Sequence, residues 1–363
     1  MHLVLDGVSL EQGGDVWLKD INLELSSGMT VLIGPSVAGK TTLMRVISGL
    51  VPPTGGRVLV NDKDVTSVSV RKRSVAFVYQ QFINYPSLSV YDNIASPLRL
   101  ARDFPKTAID RRVREIAERM GIARQLQRRP EELSGGQQQR IAIARALARP
   151  VDVLLLDEPL ANLDYKLREQ MRADLKGMFR DSDSVVLYST AEPAEALIFA
   201  AKTVVMGDGR VQDVGDVAAM YAHPPTRVVA EVLSDPPLNL LPAVARDGRI
   251  DCLGASFRAP GVHLAQLPVT LGVRAHQVTL ARTGIDDLEF PAEIRLAEIT
   301  GSTTFLHMLI AGRHHVVAEL PGTQRFTPGE PAVAYVNPLH VYVFDDATGH
   351  LLAESASEVD LHG

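Results

Sequence analysis

Residues 34–41 read GPSVAGKT, the most informative eight residues of the chain. They match the pattern G-x-x-x-x-G-K-[S/T], a loop that cradles phosphate groups between a β-strand and an α-helix. The sequence on either side predicts both elements. Residues 30–33 (TVLI) form an apolar, strand-sized run, and residues 40–50 show a helical pattern that ends before Pro52 and Pro53. The stretch therefore predicts an α/β core that binds a nucleotide.

The residue types of this loop suit a nucleoside triphosphate. Glycines let the backbone wrap closely round a phosphate, and the amides at the start of the helix supply partial positive charge. Lys40 is expected to reach the β- and γ-phosphates of ATP, and the Thr41 hydroxyl to ligate Mg²⁺. The residues predicted to bind the cofactor here are Gly34, Pro35, Ser36, Val37, Ala38, Gly39, Lys40, Thr41 and Thr42.

Two acidic residues follow another strongly apolar run. Residues 153–156 (VLLL) predict a buried parallel strand, and Asp157 and Glu158 come directly after it. A carboxylate at this end of a strand points into the crevice where α/β sheets bind ligands. Asp157 suits the magnesium shell, and Glu158 suits a catalytic role in orienting or deprotonating the attacking water. Because two acidic residues at a turn are common, this interpretation depends on the loop at 34–41.

A second anion-binding helix start is predicted at residues 133–137, which read LSGGQ. Ser134 is a suitable N-cap for the helix predicted over residues 137–149, and the glycines free the backbone before it. The plainer interpretation is a capped surface helix with a flexible entry. Two phosphate cradles with only one lysine-bearing loop favour another interpretation, in which the second cradle serves a nucleotide held by another subunit.

The composition is that of a globular protein of about two domains. The chain has 363 residues, 46% hydrophobic and 22% charged, with a net charge of -6. These values exclude a disordered or collagen-like chain, and the single cysteine, Cys252, excludes an internal disulfide. The sequence shows no secretory signal and no apolar run of ~18 residues, the length of a membrane span. We expect a soluble cytoplasmic protein.

The pattern of the sequence changes near residue 235. Before it, short β-branched runs alternate with helical patterns, whereas short extended runs follow one another after residues 235–239 (DPPLN). We therefore predict an α/β domain over residues 1–234 and a β-rich barrel or sandwich over residues 235–363. The extended runs on which the second prediction depends lie at residues 269–273, 305–310, 315–318 and 333–336.

Positive charge is concentrated in residues 99–149. This segment holds 13 Lys and Arg against 6 Asp and Glu, a local balance of +7 in a chain of net charge -6. A solvated helical face is the plainer interpretation. The alternative is a surface that meets a partner or the anionic side of a membrane. Nucleic acid is not expected as a partner, because few aromatic residues interleave with these charges.

The motifs and their order along the chain resemble those of the nucleotide-binding subunits of ATP-binding cassette (ABC) transporters. LSGGQ is the most diagnostic, and it lies after Gln80 and before Asp164, as in that family. The resemblance implies ATP and Mg²⁺ as cofactors, and a P-loop NTPase (RecA-like) core with a helical subdomain at about 81–150. It also implies that Gln80 contacts Mg²⁺ and that residues 159–164 (PLANLD) let two ATPase subunits communicate. The residues implied to contact the nucleotide of the other subunit are Ser134, Gly135, Gly136, Gln137 and Asp164.

Finer resemblances point to one group within the family. The tail is similar to the OB-like (TOBE-type) regulatory domain of sugar-importer ATPases, and residues 70–73 (VRKR) and 80–86 (QQFINYP) are most similar to glycerol-uptake ATPases. The resemblance implies transmembrane permease subunits, a second ATPase subunit and, indirectly, a periplasmic binding protein as partners. It places the chain peripherally on the cytoplasmic face of the bacterial inner membrane. The tail turns that carry it are at residues 235–240, 272–274, 301–302 and 337–340.

The chain departs from the family pattern at two positions. Where the family has a histidine, after the strand predicted at residues 184–188, this chain has Ala191. A methyl group neither donates to a phosphate nor orients water, so we expect a slow site that works with a non-identical partner rather than in a homodimer. The family's adenine-stacking aromatic is missing near residues 12–13. Trp17 either takes that role from a shifted position or is a structural tryptophan.

The sequence thus predicts an ATP-hydrolysing subunit that energises a bacterial importer of a sugar or polyol, with glycerol as the most specific candidate. Two alternatives remain open. One is a soluble ABC-type ATPase that acts on ribosomes or nucleic acid, although the sequence has neither a second cassette nor a long coiled-coil insertion. The other is a mainly regulatory subunit with weak hydrolysis.

Overall fold

A computed structural model describes residues 1–101, 103–161, 163–179, 182–258 and 267–354. Contacts divide the chain into two compact units, Met1–Val217 and Ala218–Gly363. The sequence suggested a later boundary, between residues 234 and 235. The reason for the difference is that Arg274, far along the second unit, donates hydrogen bonds to the carbonyls of Tyr221 (2.7 Å) and Leu233 (3.4 Å). Residues before the DPPLN turn are thereby part of the second unit.

The first unit contains a mainly parallel sheet and a smaller antiparallel one. The parallel sheet has the order β10-β9-β3-β8-β7-β6, with β10 antiparallel to β9, and the smaller sheet has the order β2-β1-β4-β5. The strands are β1 (His2–Gln12), β2 (Asp15–Ser26), β3 (Gly28–Ile33), β4 (Gly55–Val60), β5 (Lys63–Asp64), β6 (Val75–Val78), β7 (Val153–Asp157), β8 (Val185–Thr190), β9 (Lys202–Gly207) and β10 (Arg210–Asp216). The helices are α1 (Lys40–Ser48), α2 (Val90–Ala101), α3 (Lys106–Arg119), α4 (Gly135–Ala148), α5 (Tyr165–Phe179) and α6 (Pro193–Phe199).

The central strands are deeply buried, and β7 and β8 are buried at every residue. This burial is typical of a parallel sheet covered on both faces, which is why these strands are unbroken apolar runs in the sequence. The register places Ile33 beside Thr190 and Asp157 beside Ser189. The carboxyl ends of β3, β7 and β8 therefore meet at one edge of the sheet. The predicted α/β core is confirmed.

Helix α1 begins directly at Lys40 and ends slightly earlier than the sequence suggested. Gly49 follows it with φ 79°, a left-handed conformation that ends a helix and that glycine adopts without steric cost. The guanidinium of Arg73 donates to the carbonyls of Val46 (3.1 Å) and Ile47 (2.6 Å). A cation is favourable at this end of a helix, so the VRKR stretch supports the helix that follows the glycine-rich loop.

Helices α2, α3 and α4 lie between β6 and β7 in the chain, and both α2 and α3 pack on α4. The middle of α4 is buried on all sides, at Ile141, Ala142, Ile143 and Ala144. A helix that is apolar all round belongs to a core rather than to a surface. This packing holds the first turn of α4, and with it the LSGGQ stretch, in a fixed position.

The second unit is built mainly of antiparallel strands, preceded by the helices α7 (Val217–Ala222) and α8 (Arg227–Val232). Its two sheets, β13-β12-β11-β14-β20-β21 and β15-β19-β16-β17-β18, share one apolar core that includes Leu271, Phe290 and Leu306. Cys252 belongs to this core, and burial raises the pKa of its thiol to about 12. The strands are β11 (Asn239–Arg246), β12 (Arg249–Cys252), β13 (Ala255–Arg258), β14 (Leu267–Val273), β15 (Val278–Thr279), β16 (Leu288–Ile299), β17 (Thr303–Ile310), β18 (His314–Pro321), β19 (Pro331–Val336), β20 (Tyr342–Asp345) and β21 (Leu351–Glu354).

This antiparallel, barrel-like arrangement confirms the all-β fold predicted for the tail. In the part of the chain that the structure describes, no helix has the length and apolar character needed to cross a membrane.

Candidate functional site

The loop at residues 34–41 packs closely against its neighbours. A Cβ at position 34 would overlap the carbonyl oxygen of Met206, and a Cβ at position 39 would stand 3.1 Å from the carbonyl oxygen of Trp17. Gly39 also has φ 96°, a conformation that strains any other residue. Both glycines are therefore required, and the backbone follows the tight path of an anion-binding loop at the start of α1.

The side chain of Lys40 lies back across this loop. Its Nζ donates to the carbonyl oxygens of Gly34 (2.6 Å) and Pro35 (3.0 Å) and lies 3.3 Å from Oε1 of Glu158. The side chain is 2% exposed, and this burial lowers its pKa, while the carboxylates of Glu158 and Asp157 oppose the shift. The ammonium thus stands inside the loop, where a phosphate oxygen can replace its present contacts.

Asp157, at the end of β7, accepts hydrogen bonds from the first turn of α1 and from the end of β8. Its Oδ2 accepts from Thr41 Oγ1 (2.8 Å), and its Oδ1 accepts from Ser189 Oγ (2.7 Å). A hydroxyl and a carboxylate side by side are the hard oxygen donors that Mg²⁺ prefers, with water and phosphate oxygens completing its octahedron. Thr41 and Asp157 therefore fit the metal-binding role that the sequence predicts for them.

Glu158 contacts two residues that are distant from it in the sequence. Gln80 Nε2 donates to its Oε2 (3.0 Å), while Lys40 approaches its other oxygen. The backbone of Glu158 lies at φ 43°, a sparsely populated region that often marks functional sites. The structure thus gathers Lys40, Gln80 and Glu158, three of the predicted site residues, into one cluster.

Ser189 belongs to this cluster although no sequence motif marks it. It is fully buried, and its hydroxyl both donates to Asp157 and accepts from the N–H of Glu158 (2.9 Å). The one sequence signal was its place at the end of the strand β8, which turns out to lie beside β7. A single serine therefore orients both acidic residues, as outer-shell partners of metal sites do.

The loop after β8 places Ala191 beside the carboxylate predicted to be catalytic. A small cavity lies here, lined by Glu158, Ala161, Thr190, Ala191, Glu192 and Glu195. Ala191 contributes only a methyl group to the wall, with no atom that can donate or accept a hydrogen bond. Ala191, the position at which the resemblance implies a histidine, therefore lies next to Glu158.

The LSGGQ stretch begins α4 with a reciprocal cap. Ser134 Oγ accepts from the N–H of Gln137 (3.4 Å), and Gln137 Oε1 accepts from the N–H of Ser134 (3.3 Å). The two glycines differ in their surroundings. A Cβ on Gly135 would meet nothing within 4 Å, whereas a Cβ on Gly136 would overlap the side chain of Leu167 in α5. Gly136 is thus needed for packing within the chain, and Gly135 borders open space.

Asp164 caps the next helix, since its Oδ1 accepts from the N–H of Leu167 at the start of α5 (3.0 Å). Among the residues that the structure describes, no hydrogen bond or ion pair joins Asp164 or residues 134–137 to the loop at 34–41. The residues expected to meet another subunit's nucleotide are therefore separate from the cluster round Lys40. Asn162, in the predicted segment 159–164, lies outside the described residues.

Trp17, in β2, touches the glycine-rich loop through its backbone. Its carbonyl oxygen packs against Gly39 and Gly209, and its side chain is 47% exposed. The backbone contact places the residue beside the loop, although the sequence spacing differs from the family pattern. Stacking of its ring on adenine stays a prediction.

Part of the positive charge in residues 99–149 serves the packing of the helices. Arg112 donates to the carbonyls of Leu147 (3.2 Å) and Ala148 (3.3 Å) at the end of α4, and Arg140 donates to that of Met120 (2.7 Å). Other basic side chains in this segment reach solvent: Lys106, Arg111, Arg114, Arg119, Arg124, Arg128, Arg129 and Arg149. The segment therefore combines structural arginines with an exposed basic surface.

An open groove, the β6–α4 groove, lies next to Gln80. Its lining includes Phe77, Tyr79, Ile83, Tyr85, Leu100 and Arg145. Ile83, Tyr85 and Leu100 are exposed although they are large and apolar. Exposed apolar side chains grouped in this way are typical of surfaces that bind a protein, a membrane or a ligand.

Two protein-family models match the chain. The model described as "ABC transporter" matches residues 18–161, and the model described as "TOBE domain" matches residues 271–344. The first match contains the glycine-rich loop, Gln80 and the LSGGQ stretch. The second lies within the antiparallel unit.

Known proteins are similar over nearly the whole length. The sn-glycerol-3-phosphate import ATP-binding protein UgpC of Paracoccus denitrificans is 34% identical over 356 residues, which cover 96% of this chain and 98% of the relative. The trehalose/maltose import ATP-binding protein MalK of Thermococcus litoralis is 35% identical, with 92% of this chain and 97% of the relative covered. A solved ATP-binding cassette, in a dimeric post-hydrolysis state bound to ADP and Pi, matches with a TM-score of 0.54 and 28% identity. That match covers 59% of this chain and 98% of the solved one.

Proposed function

The chain belongs to the family of ABC transporter ATP-binding subunits, and we propose that it hydrolyses ATP with Mg²⁺ to energise the import of a sugar or polyol. The observation that carries this function is the cluster of Lys40, Thr41, Asp157 and Glu158 at one edge of the sheet. The named relatives import sn-glycerol 3-phosphate or trehalose and maltose. A glycerol-type solute, free or phosphorylated, is the specific candidate.

Catalysis in this site is mainly positioning and charge stabilisation, as for phosphoryl transfer in general. Lys40 would neutralise charge on the β- and γ-phosphates. Glu158, held in place by the hydrogen bond that it accepts from Gln80, would orient the attacking water. Thr41 and Asp157 would hold Mg²⁺, which when bound supplies further charge neutralisation to the phosphate oxygens. Because Gln80 is hydrogen-bonded to Glu158 and lies next to the β6–α4 groove, a partner in that groove can influence the carboxylate.

The proposed assembly contains two ATP-binding subunits on a pair of transmembrane permease subunits. Ser134 and the open face at Gly135 of one subunit would meet the nucleotide held by Lys40 of the other, so that ATP binding closes the dimer. The β6–α4 groove, with its exposed apolar side chains and adjoining basic helices, would receive the permease. The complex would lie peripherally on the cytoplasmic face of the inner membrane and take its solute from a periplasmic binding protein.

The second ATP-binding subunit is proposed to be a different chain. Ala191 offers no hydrogen-bonding side chain at the position where the resemblance implies a histidine, beside Glu158, so this chain's own site is expected to turn over slowly. A non-identical partner with a histidine at the matching position would complete one fast site in the pair.

The import function is tested by purifying the complex that the chain forms in membranes and measuring ATP-driven uptake in proteoliposomes. Glycerol, sn-glycerol 3-phosphate and maltose are the solutes to offer. Lys40→Ala is expected to lower uptake by about a hundredfold or more, as loss of a group aimed at developing charge does. Lys63→Ala, at an exposed lysine on β5, is the matched control and should leave uptake unchanged. Recovery of the chain with ribosomes, in a nuclease-sensitive form, would contradict the proposal.

The identity of the partner is tested separately, by native mass spectrometry of the same complex. One copy of this chain together with one different ATP-binding chain is the expected composition. Two copies of this chain would contradict a non-identical partner while leaving the import function intact.

A further inference from the structure

Helix α5 presents two arginines to the loop that carries Ala191. Arg168 Nη1 donates to Oε1 of Glu192 (2.7 Å), and Arg172 Nη2 donates to its Oε2 (3.0 Å). Both carboxylate oxygens of the residue after Ala191 are therefore held by guanidinium groups. Arg168 Nη2 also donates to the carbonyl of Leu163 (3.3 Å), at the residue before Asp164. A single side chain thus ties the segment before α5 to the loop after β8.

Buried hydrogen bonds among Arg172, Glu195 and Tyr188 support these contacts. Glu195 is 4% exposed, and its Oε1 accepts from Nε and Nη2 of Arg172 (both 3.3 Å). Its Oε2 accepts from the hydroxyl of Tyr188 (2.9 Å). Burial and the charge of Glu195 raise the pKa of Tyr188 well above its usual value, so the hydroxyl keeps the proton that it donates. Because Arg172 is itself buried, salt and water screen these ion pairs little.

The connection joins two segments with different roles. Leu163 and Asp164 precede α5, in the segment that the resemblance implies to contact the other ATP-binding subunit. Ala191 and Glu192 line the cavity that Glu158 also lines. A contiguous network of packed, paired side chains is the physical means by which one segment can bias the position of another.

We propose that Arg168 is a positioning residue for ATP hydrolysis, which couples the segment at 163–164 to the loop at 190–192 beside Glu158. Contact with the second subunit at Asp164 then sets the place of that loop and, through it, the turnover of ATP. This inference rests on the proposed function, because it needs a second ATP-binding subunit at Asp164. In this chain, which has alanine at 191, the arginine connection holds the loop.

The geometry requires arginine rather than any cation. Arg168 uses two nitrogens of its planar guanidinium at once, one for Glu192 and one for Leu163, whereas a lysine ammonium keeps the charge at a single point. Arg168→Lys therefore retains the charge and breaks the double connection. Lys40 and Thr41 do not take part in these hydrogen bonds, so ATP binding is expected to be independent of the connection.

The test measures steady-state ATP hydrolysis by the complete transporter in proteoliposomes. Arg168→Lys is expected to lower kcat about tenfold through a small misplacement of the loop, with KM for ATP and Tm unchanged. Glu192→Gln, at the other end of the same hydrogen bond, is expected to give the same loss. The double variant should be no slower than the slower single variant, because both substitutions break one connection. Arg57→Lys, in an exposed pair with Asp6 in the same unit, is the matched control and should keep the wild-type kcat.

Three results would overturn the proposal: wild-type kcat in both single variants, independent losses that multiply in the double variant, or a loss of kcat that follows a fall in Tm. A change in KM for ATP without a change in kcat would also overturn it, since that assigns Arg168 to nucleotide binding. If the wild-type complex shows no ATP-driven uptake, the proposed function fails first, and the coupling to a second subunit fails with it.

Discussion

The two loops that follow the neighbouring strands β3 and β8 differ in the functional groups that they carry. The loop at 34–41 has its reactive groups in place, with Lys40 buried inside it and Thr41 bonded to Asp157. The loop at 190–192 has only the methyl group of Ala191 where the resemblance implies a histidine, yet two arginines hold its next residue, Glu192. Position and reactivity are therefore supplied by separate residues. The second loop keeps its place although it lacks the group that would take part in the chemistry.

Within this comparison, the largest effect is expected at Asp157, which contacts Thr41 of the first loop and Ser189 just before the second. Asp157→Asn keeps the shape of the side chain and removes the charge to which Thr41 and Ser189 donate. ATP turnover should fall by about a hundredfold or more, because loss of a residue that only orients a metal ligand already costs up to about a hundredfold. Phosphate release measured at increasing Mg²⁺ checks this, and the Mg²⁺ requirement should rise. Asp152→Asn, just before β7, is the matched control, and a loss without any change in Mg²⁺ dependence would contradict the metal role.

A smaller effect, of opposite sign, is expected from restoring the missing side chain of the second loop. Ala191→His should raise the ATP turnover of this chain's site about tenfold, less than the roughly hundredfold or more of a fully positioned acid or base, because no neighbouring contact orients the added ring. Ala191→Leu has similar bulk without a polar atom and should give no gain. Single-turnover hydrolysis in the complex separates this site from that of its partner. An unchanged rate in the histidine variant would show that the side chain is not limiting.

The smallest effect concerns the aromatic side chain next to the first loop. Trp17 is the only tryptophan of the chain, so the tryptophan fluorescence of the purified chain, excited selectively, reports on it alone. If its ring stacks on adenine, ATP should change the fluorescence, and Trp17→Ala should raise Kd about fivefold, as loss of about 1 kcal/mol of base stacking does. Trp17→Phe should keep most of the affinity. Fluorescence that does not respond to saturating ATP or ADP would identify a structural tryptophan.

Much of the site could be predicted because its motifs are contiguous in the chain. A glycine-rich turn, a lysine and the start of a helix lie within eight residues, and their chemistry depends on local backbone conformation. Strands such as β7 were equally clear, because a strand buried on both faces is apolar throughout. The end of α1 was less clear, since Gly49 and the capping side chain of Arg73 act together from distant positions.

The contacts round Ser189 and Arg168 were beyond prediction for a related reason. Ser189 matters because β8 lies beside β7, and Arg168 matters because α5 faces the loop after β8. Neither neighbour is specified by the residues next to them in the sequence. The earlier boundary between the two units has the same origin, because Arg274 reaches back to carbonyls before the DPPLN turn.

Local sequence thus determined what this protein binds and which family it resembles, since phosphate recognition needs glycines, a lysine and a helix start in consecutive positions. It also predicts that the histidine of the family is replaced by Ala191, because a position in a short motif can be counted. The folded chain decided how the remaining residues act together: which carboxylate meets Gln80, which serine orients Asp157, and which arginines hold the loop at Ala191. Those relations depend on the order of strands in the sheet and on helix packing, and both arise from burial of apolar surface shared by the whole unit.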